Sequence, residues 1–283
     1  MKPFFSIVIP VLNEENYLPK LLFCLEKQTE KSFEVIVVDG RSEDRTVEIV
    51  KKFCKKNQQN FNSTLIISDK RNVSFQRNRG ADIAKGEYLV FFDADVLLPE
   101  NYLQKIKENI TTNKIDFLTT WNETDSDKQQ DKIIALLTNF MFEAAHFLSF
   151  DFVPGFNIIV KKNIFTKVGG FDENVVHAED HDLARRLKEH GYELTILKEP
   201  KITFSLRRLK REGTLNVLRK YAKATMHVFL KGPITREIFE YQMGGHLYTK
   251  ENQTKKRKAL FKKQLKLIHS KIETYFKLLE RKL

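Results

Sequence analysis

The 283-residue chain is predicted to be an α/β protein, a mostly parallel sheet flanked by helices and followed by a helical C-terminal extension. Three observations predict this. Short apolar runs stop at a breaker or an acid: FSIVI before Pro10, FEVIVV before Asp39 and YLVFF before Asp93. Between them, apolar residues recur at helical spacing, so strand and helix alternate at the pace of right-handed crossovers. Hydrophobic residues make up 41% of the chain with few Gly and Pro, enough for one large or two small globular cores.

Taken in order, the first strand is expected from Phe4 to Ile9, capped by Pro10, because proline cannot donate to a sheet ladder. The loop Val11 to Glu15 leads to a helix carrying Leu18, Leu21, Leu22 and Leu25. Phe33 to Val38 is a second buried strand, and Thr46, Val47, Ile49, Val50 and Phe53 mark the next helix. Leu65 to Ile67 is a third strand. Arg71 to Ala81 is an arginine-rich helix, which Gly86 is expected to terminate. Tyr88 to Phe92, five hydrophobic residues in a row, is a fourth strand buried on both faces. Further on come a helix (Glu100 to Ile110), a strand (Asp116 to Thr120), a polar loop around Asn122 to Lys128 and a helix from Asp131 to Ser149. The strand 155–160 is followed by a short helical turn, Lys161 to Lys167, and the Gly169-Gly170 pair. A helix then opens on His177-Ala178-Glu179-Asp180-His181-Asp182. Two late strands, Tyr192 to Leu197 and Ile202 to Leu206, precede helices over Thr214 to Leu230 and from Gly232-Pro233 to Tyr248. A basic amphipathic helix carrying Leu260, Phe261, Leu265, Ile268, Ile272, Tyr275, Phe276 and Leu279 closes the chain.

The chemistry concentrates at Asp93-Ala94-Asp95. An acid pair at the carboxyl end of a buried strand stands where open α/β sheets bind ligands, and two carboxylates one residue apart can share a divalent cation. Alone the motif reads equally as a strand ending in a polar turn. Cys24 and Cys54, both in helical apolar patterns, indicate neither a disulfide framework nor a zinc site. The N-terminus lacks a signal-peptide h-region, and the apolar stretch 133–150 is broken by Thr138, Asn139, Glu143 and His146, so the expectation is a cytoplasmic protein without a spanning helix.

The succession SIVIPVLNEE, VIVVDGRSEDRT, RNRGADIAKGEYLVFFDAD, GGFDE and AEDHDLARRLKEHGY closely resembles the inverting family 2 glycosyltransferases of the GT-A fold, from Phe4 to Arg211. The resemblance implies a GT-A type, Rossmann-like sheet as domain 1–212, with 213–283 a helical extension ending in the basic tail. It implies transfer of one sugar from a nucleotide-diphosphate sugar, UDP-sugar by preference, to the hydroxyl of a glycan or lipid-linked acceptor, with Mg²⁺ or Mn²⁺. It places Pro10, Asn13, Glu14 and Asp39 around the nucleotide, with Arg71, Arg77 and Arg79 beside it. Asp93 and Asp95 hold the metal, Asp93 also lying near the ribose, and Arg207 and Arg208 face the leaving diphosphate. Asp180 of the Glu-Asp pair is the general base. A carboxylate already on a metal is a poor base, which favours this second cluster, with Asp182 and His181 as competitors. The Gln-x-x-Arg-Trp signature of processive members is missing; Ser205-Leu206-Arg207-Arg208-Leu209 stands nearby, which speaks for single-sugar transfer.

Rival readings fit less well. A dehalogenase-like phosphatase needs its Asp-x-Asp on the first strand, and a nicotinamide enzyme needs Gly-x-Gly-x-x-Gly. A nucleotidyltransferase would carry a basic Gly-rich loop where this chain has PVLNEE, and a non-catalytic binding module would have no need of Asp93, Asp95 and Asp180 together. From Lys250 onward there are twelve Lys or Arg against three Glu, so nine of the twelve net positive charges lie in the tail. Two readings stand for it: packing on the domain, or lying on an anionic membrane surface, to which Phe140, Phe142, Phe147, Phe150, Phe152 and Phe156 would add apolar contact. Nucleic acid is not expected, because the core carries no recognition motif.

Overall fold

The computed structural model describes residues 2–147, 152–240 and 244–248. The first half alternates strand and helix: β1 (Phe5–Val11), α1 (Leu18–Glu26), β2 (Phe33–Asp39), α2 (Thr46–Asn57), β3 (Ser63–Ile67), α3 (Val73–Ile83) and β4 (Tyr88–Phe92). The second half adds α4 (Tyr102–Asn113), β5 (Phe117–Thr124), α5 (Gln129–Phe147), β6 (Asn157–Lys161), α6 (Lys162–Lys167), α7 (Glu179–Glu189), β7 (Thr195–Phe204), α8 (Arg207–Glu212) and α9 (Thr214–Lys231), then a 3-10 turn at Gly245–Tyr248.

The seven strands form one sheet in the order β3-β2-β1-β4-β6-β5-β7. β1 is paired in parallel with both β2 and β4, and only β6 runs against its neighbours. The unbroken apolar runs become the central strands: every residue of β2 and β4 is buried. Alternation then sorts side chains into two layers. Ile7, Ile9, Val35 and Val90 pack with Leu21, Leu25 and Ile106 on one face, while Val8, Ile36, Leu89 and Phe91 pack with Ala81, Leu183 and Leu187 on the other. Each such aliphatic side chain contributes about 1.5–3 kcal/mol by leaving water. After β1 the chain winds to β2 and β3 on one side, then crosses back to β4 on the other. The strand order reverses there, which opens a crevice at the carboxyl ends of β1 and β4.

Two glycines set close approaches. A Cβ on Gly80 would collide with the Val8 side chain, so α3 lies against β1 only because that position is bare. Gly86 does not end α3, which stops at Ile83. It sits where the chain crosses β1, its N–H donating to Ser6 Oγ at 2.7 Å, and a Cβ there would lie 2.6 Å from the Ser6 nitrogen.

Other expectations are corrected. Pro10 lies inside β1, which continues to Val11; β4 pairs only as far as Val8, so the missing N–H of Pro10 breaks no ladder. The two late strands are one strand, β7, at the sheet edge where Pro200 is tolerated, and β5 extends to Thr124 to pair with it across a register shift. After Gly232-Pro233 the described residues form no helix before the 3-10 turn, because Gly232 takes φ +80° and Ile234 bridges back to His177. The stretch 249–283, including the basic tail, and Phe150 lie outside the described residues. Among the described residues no helix is long and apolar enough to cross a membrane.

Candidate active site

Three loops meet at the crevice. After β1, Asn13 takes a left-handed turn (φ 52°), and its side chain and backbone clamp the loop after β2: Asn13 N donates to Ser42 Oγ at 2.8 Å and Glu43 N to Asn13 Oδ1 at 2.7 Å. Asp39, at the end of β2, is fully buried. Its Oδ1 accepts from Ser42 N at 2.9 Å, whereas Oδ2 is buried without a hydrogen-bond partner. A buried carboxylate oxygen left unpaired is costly, so a ligand donor is the chemistry that would satisfy it. Arg71 Nη2 closes the rim, 2.6 Å from Glu43 and 3.0 Å from the Arg41 carbonyl.

Beyond β4 the acids are threaded by guanidinium groups. Arg207, the first residue of α8, grips Glu14 through both Nη atoms at 2.6 and 2.9 Å, places Nε 2.7 Å from Asp95 Oδ2 and lies over the Tyr17 ring. Burial pushes the Glu14 carboxyl up to about 7 against the pull of Arg207. Burial also raises Asp95, Arg207 and Arg208 opposing it and Asp93 adding to it. Arg77, on α3, is 2% exposed: Nη1 donates to Glu179 at 2.7 Å, Nη2 to Asp93 at 3.1 Å and to the Gly155 carbonyl at 2.8 Å.

The second acid pair opens α7. Asp180 Oδ1 accepts from His181 N at 2.9 Å, and a Cβ on Gly155 would lie 2.9 Å from Asp180 Oδ2, so bare backbone walls the carboxylate. Burial lifts its pKa to about 6 although Arg77 pulls it down. Its neighbours differ. Asp182 is buried between Arg185 at 2.9 Å and Arg186 at 2.8 Å, and His181, pushed down to about 4 by burial, is neutral with its ring 3.8 Å from that of Phe152.

The model of the family described as Glycosyl transferase family 2 matches residues 6–169. The chain belongs to that family. It is a glycosyltransferase, and its sheet is that of the GT-A fold. The amylovoran biosynthesis glycosyltransferase AmsB of Erwinia amylovora is 28% identical over 216 residues, 69% of this chain and 67% of AmsB. Among solved structures, the mannosyltransferase PcManGT from Pyrobaculum calidifontis, in complex with GDP-Man and Mn²⁺, superposes with TM-score 0.61 at 19% identity, covering 80% of this chain and 65% of that one. TarS 1–349 of S. aureus, in complex with UDP-GlcNAc, gives TM-score 0.56 at 19% identity over 81% of this chain and 73% of that one. The chain spans 43% of the longer TarS chain.

Within this glycosyltransferase the crevice gathers Asn13, Glu14, Asp39, Asp93, Asp95, Asp180 and Arg207, and Arg208 acts on Asp95. Two arginines stand elsewhere than expected. Arg79 is about half exposed and lies 3.6 Å from Asp82 on its own helix, because two helical positions carry it to the face opposite Arg77. Arg77 is almost fully buried, with its guanidinium committed to two carboxylates and a carbonyl. Four participants carry no site role in the sequence analysis. Glu179, there only the neighbour of Asp180, and Gly155 are non-local partners of Arg77, and Gly245 N donates to the Leu12 carbonyl at 3.1 Å while His246 Nδ1 lies 3.0 Å from Asn13 Nδ2. Gly155 and Gly245 stand bare against Asp180 and Glu14, a signal visible only in three dimensions.

For a divalent cation, Asp93 and Asp95 each commit one oxygen to a guanidinium, Oδ1 and Oδ2 respectively. No group of three acid, His or Cys ligands is assembled among the described residues. The donor set therefore fits a cation that takes one or two carboxylates and completes its shell with phosphate oxygens and water, the usual Mg²⁺ arrangement.

Proposed function

We propose that the enzyme moves one sugar, with inversion, from a nucleoside-diphosphate sugar to an acceptor hydroxyl, using Asp180 as general base and Asp93 with Asp95 to hold a divalent cation. The observation that supports this is that Arg77 bridges two acid clusters: it donates to Asp93 of the Asp93-Ala94-Asp95 pair and to Glu179, the residue before Asp180, whose pKa is lifted to about 6. Inverting transfer needs both, one against the leaving group and one against the incoming hydroxyl.

Asn13, Glu14, Asp39 and Arg71 take the nucleoside, the unpaired Asp39 Oδ2 accepting from base or ribose. Pro10 lies inside β1, one residue before the strand ends and this loop begins. Asp95 and Arg207, with Arg208, meet the diphosphate, and the cation, Mg²⁺ or Mn²⁺, neutralises charge on the leaving group when bound. Asp180 removes the hydroxyl proton; at neutral pH it is ionised, yet more basic than an ordinary carboxylate. The nucleotide is read as UDP, the partner named in the TarS complex, with GDP, named in the PcManGT complex, as the comparison. A glycan or lipid-linked acceptor fits the exposed apolar row Ile133, Leu137, Phe140 and Met141 on α5, which reaches the base through the Phe142, Phe152 and His181 rings.

Turnover of a panel of UDP- and GDP-sugars with and without Mn²⁺ tests the reading. Wild-type protein is expected to consume one of them with metal, and Asp95→Ala to lose roughly 10²-fold or more. No turnover of any sugar nucleotide, or an Asp95→Ala variant as active as wild type, removes the reading.

A further inference from the structure

Arg77 is buried among charges that belong to different parts of the chain. From α3 its guanidinium reaches Asp93 after β4, Glu179 at the start of α7 and the carbonyl of Gly155 ahead of β6, with the Phe171 ring 5.1 Å away on one side. Its Nε has no hydrogen-bond partner. Ser74 and Ala81 share its buried face, and Gly80 brings that face close to the sheet. A cation this buried is held only because carboxylates surround it, and the carboxylates keep their places because of the cation.

Two of these partners shape the surroundings of Asp180. Glu179 is its neighbour in the first turn of α7, and Gly155 is the bare wall against its Oδ2. A Cβ at Gly155 would also lie 3.3 Å from Arg77 Nη2, so base, wall and guanidinium form one packed unit.

We propose that Arg77 is a positioning residue for the general base and not a donor-phosphate ligand: it locks Glu179 and the Gly155 carbonyl so that Asp180 faces the crevice at a fixed distance from Asp93. This rests on the reading of Asp180 as base. Charge supports it as well as geometry. The groups facing Asp180 are Arg77, Glu179, His181 and, across the guanidinium, Asp93; His181 is neutral, which leaves Arg77 as the cation opposing the burial of Asp180.

The test uses the full chain and the sugar nucleotide that the donor panel identifies. Arg77→Gln is expected to bind the corresponding nucleoside diphosphate with Mn²⁺ within about threefold of wild type by calorimetry, while kcat falls by about 10²-fold, the scale of a displaced reacting group. The acid limb of the kcat profile is expected to move up by about one pH unit, because the opposing charge is gone. Arg77→Lys keeps that limb near its wild-type position but recovers only part of kcat, since an ammonium cannot span three partners. If Arg77→Gln does not fold, Arg77→Gln/Glu179→Gln, which removes both members of the ion pair, takes the same measurements. A tenfold or greater loss of nucleotide affinity at unchanged kcat makes Arg77 a phosphate ligand and overturns the proposal, as does a wild-type kcat and pH profile. A fully active Asp180→Asn enzyme overturns the base assignment beneath it. An inactive Asp180→Asn beside an unperturbed Arg77→Gln overturns the role of Arg77 alone.

Discussion

Asp180→Asn is expected to lower kcat by about 10²–10⁴-fold, the usual contribution of a general base, and at the same time to make the protein more stable at neutral pH. Both effects have one cause. The carboxyl is raised from 3.8 to about 6 by burial, so between those values the folded state holds a proton that the unfolded state has released. Folding stability from this group is therefore present at low pH and lost as pH rises through the folded pKa, by up to roughly 3 kcal/mol at 1.36 kcal/mol per pKa unit. Asparagine carries no such penalty. Urea unfolding at pH 8 is expected to place the variant above wild type, with the difference shrinking toward pH 4. Turnover by the wild-type enzyme is expected to fall as pH drops through about 6. A less stable variant at pH 8, or one with wild-type kcat, contradicts the description of this site.

Arg207→Ala is expected to destabilise the protein by about 3–5 kcal/mol at pH 8, because it leaves the Glu14 carboxylate buried without its bidentate partner. Glu14 is already pushed up to about 7 with Arg207 in place, and Asp95 and Asp93 add repulsion. Without the arginine its folded pKa rises further above 4.5, so the variant regains stability as pH falls and Glu14 takes up a proton. Urea midpoints at pH 8 and pH 6 measure this: the deficit should narrow at pH 6, and Arg207→Ala/Glu14→Gln should recover much of it at both. A deficit independent of pH would mean that Arg207 acts through packing on Tyr17 instead.

The sheet was legible because its strands are hydrophobic without interruption. Tyr88 to Phe92 could only be a strand covered on both faces, and the acids that follow could only lie at its open end. The arginines of α3 were not legible in the same way. Residues 77 and 79 differ by half a turn, and the sequence shows their charge without showing which of them faces inward. The small residues Ser74, Gly80 and Ala81 marked the buried face that Arg77 shares, but a buried arginine declares itself only through distant partners such as Glu179. The grip of Arg207 on Glu14, 193 positions apart in the chain, likewise depends on tertiary packing alone. The stretch after Gly232-Pro233 misled for a local reason: positive φ at Gly232 and the bridge from Ile234 to His177 outweigh its helical spacing.

The anomeric configuration of the glycosidic bond formed on the acceptor, read by proton NMR, tests most directly whether Asp180 works opposite the diphosphate side. The two-site arrangement requires a β-linked product from an α-linked sugar nucleotide. An α-linked product would contradict it.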